Sequence, residues 1–304
     1  MRFLKFFLLA VLVAVVVILS FYHSDVPVET LKAKYAYSDS KFMELDGLNV
    51  HYRVVGTGKP VVLLHGTGAS LHTWEAFADN LKDSFQLISL DLPAFGLTGG
   101  RADRDYSIAM YTAFLKKFTE KLNLTTFDLA GNSLGGRIAW EFAATYPEQV
   151  RKLILMDAAG YPTEKPAPLV FQLAKNSILS AVLMKITPRF FIKKNMIEVY
   201  ENDALVSDAL VDRMFDMTLR EGNRQAFVDR AKLPLDTNTD RVKMIVDSTL
   251  IIWGDNDPWI PVSCAEKFRK NLINNQLAII KNCGHLPMEE HPVETAGLVS
   301  VFLR

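Results

Sequence analysis

Apolar residues in this chain fall into short continuous blocks, separated by polar or Gly- and Pro-containing stretches, with amphipathic runs between several of them. Val61-Val62-Leu63-Leu64 carries no polar alternation at all, which is the pattern of a strand buried on both faces of a sheet. Leu87–Leu90, Phe127–Ala130, Leu153–Met156, Thr249–Ile252 and Leu277–Ile280 are similar blocks. Ahead of them, Phe42–Leu45 and Val50–Val54 predict two strands joined at Asp46-Gly47, a dipeptide that favours a tight hairpin. Ser107–Leu122 and Arg137–Tyr146 place apolar residues at helical spacing. Strands alternating with helices predict an α/β fold, a mostly parallel central sheet with helices on both faces.

One stretch breaks the rhythm. From about Gly160 to Arg241 no strand is predicted and the apolar pattern is helical. A helical insertion between two core strands is expected to cap the C-terminal edge of the sheet, where ligands bind in open α/β sheets. The expected organisation is therefore an N-terminal segment over residues 1–24, a linker over 25–40, a core over 41–159, a helical cap over 160–241 and the rest of the core over 242–304.

The N-terminal segment is an apolar run from Phe6 to Tyr22, broken only by Ser20 and preceded by Arg2 and Lys5. It reaches the lower edge of spanning length, roughly 17–25 residues, and lacks an Ala-x-Ala cleavage site. The expectation is a single-pass membrane anchor with the catalytic domain extracytoplasmic. The alternative is a cleaved signal that leaves a secreted or periplasmic protein.

Composition narrows the remaining choices. Hydrophobic residues make up 49 % of the 304, enough for a sizeable core. Lys+Arg and Asp+Glu both number 34, so no global positive field favours nucleic acid as a partner. The two cysteines, Cys264 and Cys283, form no C-x-x-C motif. They are read either as a disulfide or as two separate buried thiols. No metal-ligand cluster is evident, and neither metal nor cofactor is expected.

The chemistry is concentrated in four places. Gly131-Asn132-Ser133-Leu134-Gly135-Gly136 directly follows a predicted strand and precedes a predicted helix, the setting of a nucleophile elbow with Ser133 as nucleophile. His65-Gly66-Thr67-Gly68 ends an earlier strand. Acyl transfer builds negative charge on an oxygen, which backbone N–H groups must receive. Leu134 and Thr67 are the expected oxyanion donors. His285, in Asn282-Cys283-Gly284-His285 after the last strand, is the expected base, in preference to His65, which shapes its loop, and to His291 beside Pro292. The acid that orients it is expected to be Asp257, from Trp253-Gly254-Asp255-Asn256-Asp257-Pro258, with Asp255 and Asp157 as competitors. The order Ser133, Asp257, His285 is that of the nucleophile-elbow hydrolases.

Together with Asp91-Leu92-Pro93-Ala94-Phe95-Gly96, these motifs give the chain a resemblance to the α/β-hydrolase superfamily over about Leu45 to Leu303. Within it the chain looks most like membrane-anchored monoacylglycerol-lipase-like enzymes and related bacterial lipases. The resemblance implies a serine esterase acting through an acyl-enzyme on a lipophilic ester such as a monoacylglycerol. Ala94 departs from the family's pattern, which has Gly there. Haloalkane dehalogenases and epoxide hydrolases of the superfamily have Asp where this chain has Ser133. Three other readings fit the motifs: a C–C bond hydrolase of the meta-cleavage type, which shares the Ser-Asp-His layout and an Asn before the Ser; a cofactor-free haloperoxidase-like enzyme; and a non-catalytic binding protein, which would have no need of all three groups.

Overall fold

The computed structural model describes residues 3, 5–8, 20–234 and 238–304. Eight strands form one sheet: β1 (Lys41–Leu45), β2 (Leu48–Val55), β3 (Lys59–Leu64), β4 (Phe85–Leu90), β5 (Phe127–Asn132), β6 (Val150–Met156), β7 (Ser248–Gly254) and β8 (Asn275–Ile280). Their order is β1-β2-β4-β3-β5-β6-β7-β8. β1 and β2 are antiparallel, β2 is antiparallel to β4, and every other pairing is parallel. Asp46 and Gly47 turn the β1–β2 hairpin with φ of 50° and 77°, the two positive values that a tight hairpin turn demands.

The continuous apolar blocks are explained by burial on both faces. Along β3, Val62 and Leu64 enter one cluster with Trp140 and Phe268. Val61 and Leu63 enter the other with Trp74 and Phe77. The first face is covered by α3 (Ile108–Lys121), α4 (Leu134–Thr145) and α10 (Ser263–Asn271). The second is covered by α2 (Glu75–Asp79), α11 (Pro287–Glu290) and α12 (Pro292–Leu303). Ser107 caps α3 by accepting a hydrogen bond from Met110 N.

Between β6 and β7 lie α5 (Leu169–Lys175), α6 (Ser177–Leu183), α7 (Arg189–Val199), α8 (Asp208–Leu219) and α9 (Asn223–Lys232), with no strand among them. The chain leaves β3 toward β4 on one side, and β5 then pairs with β3 on the other. Loops that part in opposite directions open a crevice at the C-terminal ends of β3 and β5.

The N-terminal expectations need correction. Among the described residues, no helix is long and apolar enough to cross a membrane. The single-pass anchor, and the extracytoplasmic placement argued from it, therefore have no described span to rest on. Residues 9–19 of the Phe6–Tyr22 run lie outside the described residues. The end of the run is engaged by protein: Tyr22 forms an antiparallel bridge with Ile186 of the cap, and the Phe21 ring meets Phe190 edge-on at 5.6 Å. Hydropathy cannot distinguish such apolar contacts from lipid. Part of the stretch read as a linker is helix α1 (Val28–Tyr35), whose Leu31 is buried with Leu97 and Met217.

Candidate active site

Ser133 sits between the end of β5 and the start of α4 with φ 53° and ψ −116°, a sparsely populated conformation for a residue with a side chain. Three backbone bonds hold it there: its N–H donates to Met156 O, and its carbonyl accepts from Arg137 N and Ala159 N. The turn also needs strand and helix to touch. A Cβ on Gly131 would lie 2.2 Å from Gly135 O, and a Cβ on Gly135 would lie 2.1 Å from Leu64 O. Both contacts are with backbone, so only glycine fits. The helix begins at Leu134, three residues before the start expected from periodicity, in spite of the two glycines that follow.

Leu134 is the first residue of α4, so its N–H lies in the turn that has no intrahelical acceptor. The loop after β3 is pressed onto the elbow. A Cβ on Gly66 would stand 3.1 Å from Ser133 Cβ and 3.0 Å from Asn132 Oδ1. Thr67 follows directly and lines the same cavity as Ser133. His65 lies behind this loop. Its Nδ1 bonds Gly66 O at 2.7 Å and its Nε2 accepts from Leu92 N at 2.9 Å, so both nitrogens are engaged. Burial lowers its pKa and keeps the ring neutral.

The structure brings His285 and Asp257 together. His285 Nδ1 is 2.7 Å from Asp257 Oδ2, both groups are buried, and the other Asp257 oxygen accepts from Trp259 N and Ile260 N at 2.7 and 2.9 Å. His285 Nε2 is buried without a hydrogen-bond partner and, like Ser133, lines the cavity. Unliganded sites often close the nucleophile–base bond only with substrate in place. Asp255 lies apart from this contact. It accepts from Cys283 N at 3.4 Å and pairs with Lys281 at 3.3 Å, so it serves the turn. Cys264 and Cys283 are both buried, free thiols.

Asp157, directly after β6, is the third member of the cluster. Oxygens of Asp157 and Asp257 and a ring nitrogen of His285 all lie within 4.8 Å of one another. Burial first, and then the charge of Asp257, push the Asp157 carboxyl well above its ordinary range. Its Oδ1 accepts from Gly254 N at 3.0 Å. This is the one group among the described residues with metal-ligand proximity. A cation there would have to displace the His285–Asp257 hydrogen bond.

Sequence reading assigned no task to Asn132. Its Nδ2 donates to Met156 O at 3.2 Å and to His285 O at 3.0 Å, tying the elbow to the loop that carries His285. Its place next to Ser133 was the only available signal. Trp259, whose ring lies 5.6 Å from that of His285, was also missed.

The cavity in front of Ser133 measures about 190 Å³. Core loops supply Gly66, Ala94, Ser133 and His285, and the cap supplies mainly apolar side chains, among them Phe171, Leu183, Phe191, Met196, Met214 and Phe227. Among the described residues, Arg224 is the one Lys, Arg, Asp or Glu side chain lining it. Its guanidinium is already engaged: Nε and Nη2 reach Asp25 Oδ1 at 3.2 and 2.5 Å, and Nη2 also donates to His23 O at 2.8 Å.

Comparison with known proteins places this geometry. The profile of the family described as alpha/beta hydrolase fold matches residues 59–292. A 2-hydroxy-6-oxononadienedioate/2-hydroxy-6-oxononatrienedioate hydrolase of Pseudomonas putida is 30 % identical over 282 residues, covering 87 % of this chain and 96 % of its own. A monoacylglycerol lipase of Mus musculus is 29 % identical over 255 residues, covering 80 % of this chain and 75 % of its own. Among solved structures, a membrane phospholipase A described as a bacterial virulence factor is similar with a TM-score of 0.74 and 27 % identity. That match covers 99 % of this chain and 97 % of the other.

Proposed function

We propose, from the premise that the chain belongs to the α/β-hydrolase family, that it is a serine hydrolase of uncharged, lipophilic carboxylic esters such as monoacylglycerols. The observation that carries this reading is the charge of the cavity. Its walls are mainly apolar, and the single cation among the described lining residues is already paired with Asp25. An acyl chain loses little on entering such a space and gains by leaving water. A substrate carboxylate would have to be buried without a free partner. The near full-length similarity to a phospholipase A and the similarity to a monoacylglycerol lipase, both of which act on lipid esters, support the same reading.

The reaction runs as follows. His285 Nε2 takes the Ser133 proton while Asp257 holds Nδ1–H, so the ring is in the tautomer that can accept. Ser133 Oγ attacks the ester carbonyl, and the Thr67 and Leu134 N–H groups receive the oxyanion. The alcohol leaves with the proton from His285. Water then attacks the acyl-enzyme by the same route, releasing the acid and restoring Ser133.

A second reading has its own support. The comparisons back a C–C bond hydrolase of the meta-cleavage type better than an esterase: the relative at 30 % identity is by name a hydrolase of a 2-hydroxy-6-oxononadienedioate, another is a 2-hydroxy-6-oxo-2,4-heptadienoate hydrolase, and the Asn132-Ser133 pair suits such an enzyme as well. Steady-state assays of the purified protein on long-chain monoacylglycerol, on p-nitrophenyl esters and on a 2-hydroxy-6-oxo-dienoate separate the two. The ester reading expects kcat/KM on the esters to exceed that on the dienoate by about 100-fold or more, the scale on which a buried unpaired charge is penalised. A preference for the dienoate overturns it.

A further inference from the structure

The segment from Phe21 to Pro27 is a strap across the cap. Thr187 N donates to Phe21 O and His23 N to Lys185 O; further along, Val26 N donates to Leu219 O and Glu221 N to Val26 O. Its His23 ring meets Phe215 edge-on at 5.0 Å. These contacts place Asp25 against Arg224 at the cavity wall. The Arg224 side chain is 5 % exposed and that of Asp25 is 43 % exposed. A buried guanidinium without a partner would be costly, and the partner here comes from 199 residues away in sequence, outside both core and cap.

We infer that Asp25 is a specificity determinant: by neutralising Arg224 from the strap, it sets the acyl cavity to accept uncharged chains and to refuse chains that end in a carboxylate. Without the Asp25 charge, Arg224 becomes a free cation in the wall of an apolar cavity. A carboxylate at the far end of an acyl chain is then its natural partner, through charge-assisted and potentially bidentate hydrogen bonds. The substrate class that would gain is the half-ester of a linear dicarboxylic acid. This inference rests on the ester reading above.

The test uses the full chain with p-nitrophenyl half-esters of linear dicarboxylic acids over a range of chain lengths, against neutral p-nitrophenyl esters of matched length. The wild type should favour the neutral ester by about 100-fold or more in kcat/KM, for the cost of burying an unpaired carboxylate. Asp25→Asn should raise the ratio of half-ester to neutral-ester kcat/KM by about tenfold or more at the length that reaches Arg224. Adding Arg224→Gln to Asp25→Asn should return the ratio to its wild-type value. A variant that merely loosened the strap would change both esters together and leave the ratio flat. If Asp25→Asn does not fold, Asp25→Ser and the wild-type preference still decide.

An unmoved ratio in a folded Asp25 variant or a gain that survives Arg224→Gln overturns the inference and leaves the ester reading standing; a wild type that turns over both esters equally overturns the inference and the preference for uncharged esters, and leaves ester hydrolysis itself standing. Absence of turnover on every neutral ester, with the dienoate cleaved, overturns the ester reading and the inference with it.

Discussion

Replacing Asp257 by Asn exposes how the site fixes the histidine. Asp257 uses its two oxygens differently: Oδ1 accepts from Trp259 N and Ile260 N, and Oδ2 faces His285 Nδ1 at 2.7 Å. An amide of the same shape must keep its oxygen on the two backbone donors, because its NH₂ group cannot accept from them. The NH₂ then faces Nδ1 and donates to it. His285 is forced to carry its proton on Nε2, the nitrogen that should take the proton from Ser133. The expected loss in kcat is about 10³–10⁴-fold, or roughly 4–5.5 kcal/mol of barrier at 1.36 kcal/mol per tenfold. Asp255→Asn, which disturbs a turn and a pair with Lys281, should cost less than about tenfold. Asp157→Asn, at a carboxyl whose burial and neighbouring Asp257 favour the uncharged form, should also stay within about tenfold. The assay is steady-state hydrolysis of a p-nitrophenyl ester near neutral pH, with circular dichroism to confirm folding. A folded Asp257→Asn enzyme within tenfold of wild type, or a larger loss from Asp255→Asn or Asp157→Asn, would refute the reasoning.

Two further predictions concern stability. Ala94 holds φ at 87°, which costs a residue with a Cβ roughly 1–2 kcal/mol, whereas glycine there loses about 0.5–1 kcal/mol more entropy on folding. Ala94→Gly should therefore stabilise by about 0.5–1 kcal/mol, raising Tm by roughly 1–4 °C in differential scanning calorimetry; a fall in Tm would show that the conformation is not strained. Asp91 is buried against His51 Nδ1 at 2.8 Å and also accepts from Leu71 N and Leu97 N. Burial acts to raise its carboxyl, but His51, with His65 and His72, outweighs burial and brings it down to about 2. A depressed carboxylate contributes stability that is complete above its unfolded pKa of about 3.9 and is lost as pH falls through the folded value, here some 2–3 kcal/mol between about pH 4 and 2. Urea titrations of Asp91→Asn and wild type over that interval should converge as pH falls, and parallel curves would contradict the assignment.

The sheet was legible because burial on both faces leaves a plain mark. Val61–Leu64 can be little else than a central strand, and the elbow is recognisable from a strand read as ending at Ala130, a Gly-rich turn and a following helix. The departures have physical causes. The start of α4 was hidden by Gly135 and Gly136, poor helix formers that the close approach of Leu64 to the first and of Ala158 to the second demands. Asp157 was read only as a competitor of Asp257, not as its neighbour, yet β6 and β7 are adjacent with Met156 opposite Ile252. Residues just beyond neighbouring strand ends converge, and only the strand order reveals which ends are neighbours. Arg224 and Asp25 could not be paired from sequence at all, since the strap that joins them leads from the end of an apolar run that pointed to lipid into a stretch read as a linker.

The central claim, that Ser133 carries an acyl group from an ester, is tested most directly by rapid-quench mass spectrometry of the enzyme mixed with a long-chain p-nitrophenyl ester. The account predicts a burst of one nitrophenol per active site, an intact-mass increase equal to the acyl group, and peptide mapping of that acyl group to Ser133, with no adduct in Ser133→Ala. An adduct on another residue, or turnover of the ester undiminished in folded Ser133→Ala, would contradict it.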